Sequence, residues 1–167
     1  MAKKIDNTEE KIHAVEEALS KSEKFIEKNQ KILTIIIGSA IVIVLGVFAF
    51  QKLYIAPREK AAQGAMFMAQ KYFEEDSLSK ALNGFGDDEG FLSIIDNYSM
   101  TKSANLAKYY AGIIYLKQGK YEDALTYLKK FDSDDEFVGP MATGSMGDAY
   151  LELGQKDKAI EIGRAHV

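Results

Sequence analysis

Cysteine is absent from this chain, so neither disulfides nor thiolate–metal sites can hold its fold. Histidine occurs twice, as His13 in a charged amino-terminal stretch and His166 near the carboxyl end. Neither can serve as base to the serines and carboxylates of the intervening domain, which excludes a Ser-His-Asp relay there. The same scarcity excludes metal sites built from His and Cys. Basic residues are the minority beyond residue 50, with 14 Lys and Arg against 18 Asp and Glu from Gln51 on. An acidic surface of this kind does not suit a phosphate backbone, so nucleic acid is not an expected partner. With no acid–base pair and orienting partner in view, neither enzymatic activity nor a cofactor is expected.

Charge is missing altogether from Ile32 to Phe50, nineteen residues of which thirteen are Ile, Leu, Val or Phe. At about 1.5 Å per residue a helix over this run spans roughly 28 Å, close to the hydrocarbon thickness of a bilayer. A core helix of a small domain is rarely apolar all the way round, so residues 32–50 read as a single transmembrane segment. The 31 preceding residues are long for a signal-peptide n-region, and Gln51–Pro57 offers no small-x-small cleavage site, which favours an uncleaved signal anchor. Four lysines (Lys21, Lys24, Lys28, Lys31) precede the span closely, against Lys52, Arg58 and Lys60 after it. That asymmetry orients the amino terminus to the cytoplasm and the rest outside it.

Residues 1–31 balance seven lysines against seven acids and read as one charged helix. Ile5, Ile12, Leu19 and Ile26 recur every seven residues, with Val15 between two of them, as a thin coiled-coil-like seam. The other seam positions, Thr8, Ser22 and Asn29, are polar. The alternatives are a solvated helix beside the membrane and a surface for self-association or a cytoplasmic partner.

Beyond the span the chain nearly repeats itself at a spacing of 35 residues. Gly112, Tyr115, Leu116, Gly119 and Ala124 return as Gly147, Tyr150, Leu151, Gly154 and Ala159. A fixed period in this range signals stacked helical hairpins. Pro57 suits the first turn of a helix running through Ala61, Ala65, Met68, Ala69 and Tyr72 to Asp76-Ser77. A short helix over 78–82, a loop rich in glycine and acid over 83–90, and a helix over 91–98 follow. Thr101 is placed to cap the next helix. Residues 102–118 then pair with 121–130, and 141–153 with a helix starting near Lys156, each pair turning at Gly119 or Gly154.

This pattern resembles the tetratricopeptide repeat. Ala111-Gly112-Ile113-Ile114-Tyr115 and Met146-Gly147-Asp148-Ala149-Tyr150 fill its first helix, and Ala124 with Leu128 its second. Small Gly112 and Ala124 should let two helices approach closely, while Tyr115 fills the space between neighbouring hairpins. An earlier, degenerate repeat built on Ala69, Tyr72 and Ala81 is expected ahead of the acidic loop. The departures are Lys108 and Thr143 at the family tryptophan, and a late Pro140 for its closing proline. The fold expected is all-α: a charged helix (1–31), a signal anchor (32–50) and a right-handed solenoid (51–161), truncated at its carboxyl end.

The whole chain is similar to membrane-anchored tetratricopeptide proteins related to the ancillary Sec-translocon subunit of Gram-negative bacteria. That resemblance implies a single-pass inner-membrane protein with periplasmic repeats that contact the translocon and periplasmic chaperones. It also implies a groove lined by the first helix of each pair, here Tyr109, Ile113, Leu116, Lys117, Asp148 and Glu152. Family members that grip chaperone carboxyl termini use Lys and Asn where this chain has Tyr109 and Ile113, so that clamp is not expected. A self-assembling membrane protein, forming homo-oligomers, and a repeat receptor facing the cytosol are the alternatives.

Three local patterns lead nowhere. Asp132–Glu136 starts like a calcium loop, but Phe137 stands at its obligatory glycine and Thr143 at its bidentate glutamate. Gly84-Phe85-Gly86…Gly90 has one residue too many for a dinucleotide fingerprint, and Asp87, Asp88 and Glu89 would repel a pyrophosphate. Finally, Glu161–Val167 breaks the repeat and reads as the translation of a common sequencing adapter. Residues 162–167 are therefore expected to be a non-native tail on a protein that continues.

Overall fold

The computed structural model describes residues 2–132 and 137–164. Most of the acidic run Asp132–Glu136 and the end of the tail, with His166, lie outside the described residues, as do the side chains of Ile5, Ile12 and His13. The chain divides into two compact units, Met1–Phe50 and Gln51–Val167.

The first unit is one helix, α1, Ala2–Phe50. It is long and apolar enough to cross a membrane, and none of its most apolar window is buried. The hydroxyls inside that window spend their hydrogen bonds locally. Thr34 Oγ1 donates to the Gln30 carbonyl at 2.8 Å and Ser39 Oγ to the Ile36 carbonyl at 2.8 Å. Neither polar group therefore needs a partner from outside the helix.

The second unit opens on a π-helical segment, Gln51–Ile55, followed by α2, Ala56–Glu74. The sequence suggests a fresh helix start at Pro57, but its cap residue Ile55 is itself helical, at φ −73° and ψ −45°. Proline has no N–H for the carbonyl four residues back, here that of Leu53, and its ring crowds that oxygen. A widened turn just ahead of Pro57 is the usual accommodation.

α3 (Leu78–Asn83), α4 (Phe91–Asn97), α5 (Lys102–Lys117), α6 (Tyr121–Leu128), α7 (Val138–Glu152) and α8 (Lys156–Arg164) complete the unit. α7 begins three residues before its expected start at Met141, placing Pro140 in its first turn, where a missing N–H costs nothing. The segment 83–90, expected as loop, holds a small antiparallel hairpin, β1 (Gly84–Phe85) on β2 (Asp88–Glu89). Gly86, at φ +63°, turns it. Gly84 and Gly90 have no room for a side chain: a Cβ on Gly90 would lie 2.2 Å from the Gly84 nitrogen.

Three of these helices end identically. α5 turns at Gly119 (φ +72°), with Gly119 N–H donating to Leu116 O and Lys120 N–H to Tyr115 O. α7 repeats this at Gly154, through Leu151 O and Tyr150 O. α2 does the same at Asp76 (φ +54°), through Phe73 O and Tyr72 O. Each is a paired-bond Schellman stop with a tyrosine at the same position. The registers Ala69/Gly112, Tyr72/Tyr115 and Ala81/Ala124 all differ by 43, against 35 for the next pair. The eight surplus residues fall after Ala81, where the β-hairpin is inserted. The degenerate first repeat is thus a hairpin of α2 and α3 whose second helix is cut short.

Packing follows the same register. Met66, Ala69, Ala81, Leu82, Phe91, Ile94, Ala104, Ala107, Ala111 and Ile114 form one buried cluster, rich in alanine because its helices lie close. Leu125, Ala149 and Tyr150 form a second, which α8 borders without burying a residue of its own. Tyr115 stacks on Tyr127 of its own hairpin at 5.3 Å, and both rings pack against the first cluster. Tyr115 therefore joins its hairpin to the one before it.

The inserted hairpin is clasped through its acids. Tyr72 donates to Asp88 at 2.8 Å, Tyr98 to Glu89 at 2.8 Å and Asn97 to Glu89 at 2.9 Å. Holding these protons against a carboxylate raises both tyrosine hydroxyls above their ordinary range. Arg58 donates to the Asn97 carbonyl, beside the rings of Tyr54 and Tyr98.

Candidate partner-binding surface

The start of α5 is fixed twice. Thr101 Oγ1 accepts from Ala104 N–H at 3.1 Å, as expected of an N-cap. Glu59, from the first turn of α2, adds a carboxylate that accepts from Lys102 N–H at 2.7 Å and Ser103 Oγ at 2.7 Å. Partial burial pushes the Glu59 carboxyl up, but the hydrogen bonds from Ser103, Lys102 and Gln63 together outweigh it and leave the group below its ordinary value. An anion at a helix amino terminus also meets the positive end of the dipole.

On α5, Tyr109 is half-buried, its ring 5.7 Å from Tyr110 and 5.8 Å from Phe131. Burial raises its hydroxyl, with a smaller contribution from Tyr110. Ile113 is half-buried one turn on. Leu116 leans on the second cluster, with Leu125, Ala149 and Tyr150. Lys117 reaches the other way: its ammonium lies 5.1 Å from the Phe73 ring and 3.7 Å from the Asp76 carboxylate. On α7, Asp148 is exposed, and so is Glu152, whose charge and hydrogen bond raise the Tyr121 hydroxyl.

The six residues thus divide. Leu116 and Glu152 join the last two hairpins, Lys117 joins α5 to the end of α2, Tyr109 and Ile113 are partly exposed and Asp148 is exposed. The repeat-defining residues divide too. A Cβ on Gly112 would lie 2.5 Å from Leu128 Cγ, while one on Gly147 would meet nothing within 4 Å. The residue equivalent to Leu128 in the last repeat is Gly163.

An open cleft of about 700 Å³ lies beside α5, walled by Met100, Leu106, Phe131 and Val138, with Lys102 and Lys108 at its edge. Asn105 holds one wall by pairing its amide with the Asp132 backbone, donating at 3.1 Å and accepting at 3.0 Å. The cleft is invisible in the periodicity, although Lys108, at the family tryptophan position, is among the residues that line it. Among the described residues no group of three His, Asp or Glu could hold a metal ion, and no buried side-chain polar atom lacks a hydrogen bond.

No curated protein and no solved structure matches the chain. The family model of the tetratricopeptide repeat matches residues 106–134. That stretch contains the Gly112–Leu128 contact, the Gly119 stop and the Tyr109, Ile113, Leu116 and Lys117 face. The chain therefore carries a tetratricopeptide repeat within an all-α domain of stacked helical hairpins.

Proposed function

We propose that this protein is a non-catalytic, single-span membrane scaffold whose repeats bind protein segments outside the cytoplasm, at the protein-export machinery. The observation that carries the reading is the pairing of a matched repeat hairpin with an apolar helix that leaves its window wholly unburied. Tetratricopeptide hairpins generally serve as platforms for protein partners. An apolar helix whose most apolar window is unburied finds its cover in lipid. The lysines ahead of the span favour the amino terminus inside the cytoplasm, and inner-membrane placement is what the whole-chain resemblance implies. Translocon subunits and periplasmic chaperones are the partners that the whole-chain resemblance implies.

Crosslinking in native membranes, with mass spectrometry of the captured chains, tests this reading. The scaffold reading expects export components or periplasmic chaperones, lost when Asp148→Lys is combined with Ile113→Asp. Capture of cytosolic proteins alone would instead support a receptor with its repeats facing the cytosol.

A further inference from the structure

We infer that α1 is a parallel self-association helix: its partner is a second copy of this chain. Taking Ile5 as position a of a heptad, Ile12, Leu19 and Ile26 follow at a, and Thr8, Val15, Ser22 and Asn29 at d. The same lettering continues without a skip into the apolar segment. Leu33, Ala40 and Val47 take a, while Ile36, Ile43 and Phe50 take d. α1 is a single α-helix over this whole stretch, and the π-helical segment, which would shift the register, begins at Gln51, directly after the last seam residue. Among the described side chains of the seam, Val15, Leu19, Ile26, Ile36, Ile43 and Val47 are each more than half exposed.

Charge identifies what covers it. The residues flanking the seam at g begin with Lys4 and Lys11, and those at e are Glu9, Glu16 and Glu23. In a parallel pair, each g position faces the e position five residues later on the other helix. Lys4 then faces Glu9 of the second copy and Lys11 faces its Glu16, each contact occurring twice by symmetry. An antiparallel pair would set g against g and e against e, opposing lysine to lysine and glutamate to glutamate. Two copies inserted the same way in one membrane are parallel, so the charge pattern and the anchor select the same arrangement. On the outer side, Glu17 and Lys21 satisfy each other at 2.8 Å within one helix.

The polar d positions make the seam weak, and the membrane compensates by confining both copies to one sheet. A shared lipid anchor raises their effective concentration much as a linker does. The consequence for the repeats is bivalency: two binding domains per assembly, able to hold one partner at two points. This association depends on α1 alone, so its failure would leave the scaffold reading standing.

The absence of cysteine makes the test direct. Full-length chain in native membranes would carry Ile12→Cys or Leu19→Cys at a, or Glu10→Cys at the outer f position, and be treated with a mild oxidant. The expected result is a disulfide-linked species of twice the chain mass for both a-position variants, and several-fold less for Glu10→Cys. Adding Lys4→Glu and Lys11→Glu to Leu19→Cys should lower the crosslinked fraction roughly fivefold, and further adding Glu9→Lys and Glu16→Lys should restore it. Equal crosslinking at a and f, an adduct with a different protein, or indifference to both charge changes would overturn the inference.

Discussion

Gly112 and Leu128 interlock: a single methyl group on the glycine would sit 2.5 Å from the leucine Cγ and 3.3 Å from the Ala124 carbonyl oxygen. The closest approach of α5 and α6 depends on that missing side chain. Gly112→Ala is therefore expected to destabilise the repeat domain by about 1–3 kcal/mol, the usual cost of overpacking. Gly147→Ala, with nothing within 4 Å, should instead be neutral or stabilise by up to about 1 kcal/mol through helix propensity. Thermal unfolding of the detergent-solubilised chain distinguishes the two, and equal losses would contradict the contact geometry.

The vacancy beside Gly147 supports a complementary gain. Gly163→Leu, a change within the expected non-native tail, places at the position equivalent to Leu128 the residue type found there and replaces glycine by a strong helix former. An increase in stability of about 1–2 kcal/mol is expected, read as a higher melting temperature. No gain would mean that α7 and α8 do not repeat the α5–α6 packing.

Asp76 occupies a left-handed position where the two later repeats have glycine. Asp76→Gly should relieve backbone strain of up to about 1 kcal/mol while losing a largely exposed ion pair with Lys117 worth about 0–1 kcal/mol. The net change should be small and no worse than neutral, whereas Gly119→Ala and Gly154→Ala should each cost about 1 kcal/mol. Chemical denaturation of the three variants reads out the difference.

Glu59 should make part of the stability depend on acid. Its folded value is depressed, so the cap contributes fully above the ordinary carboxyl value of 4.5 and is lost as pH falls through the folded value. Glu59→Gln should lower stability at pH 7 by roughly 0.5–1 kcal/mol, discounted for the group's exposure. The gap to the parent chain should begin to narrow only below the ordinary value of 4.5 and close as pH falls through the depressed folded value. A gap that persists in acid would mean that the carboxylate charge contributes nothing.

Much of this fold was legible because its signals are periodic. The 35-residue register located Gly112, Gly119, Gly154 and their tyrosines, and nineteen uncharged residues marked the apolar helix. The first repeat was harder to read because its glycine is Asp76 and its second helix is interrupted by a hairpin, which moves the period to 43. The hairpin itself rests on Gly84 and Gly90 lying backbone to backbone, a contact that composition does not encode. Glu59 was missed for a similar reason: the carboxylate that caps α5 lies 43 residues ahead of the helix it serves. The groove residues were only partly legible, since Leu116, Lys117 and Glu152 all sit on first helices, yet their neighbours direct them into joints between hairpins.

The central claim is that α1 crosses a membrane and leaves the repeats outside the cytoplasm. Met141→Cys introduces one thiol into a chain that has none, at an exposed position on α7 outside the proposed partner surface. Labelling cells whose outer membrane has been permeabilised, with a maleimide that does not cross the inner membrane, tests the claim most directly. The account predicts modification before lysis, equal to that after lysis. Modification only after the inner membrane is opened would contradict it.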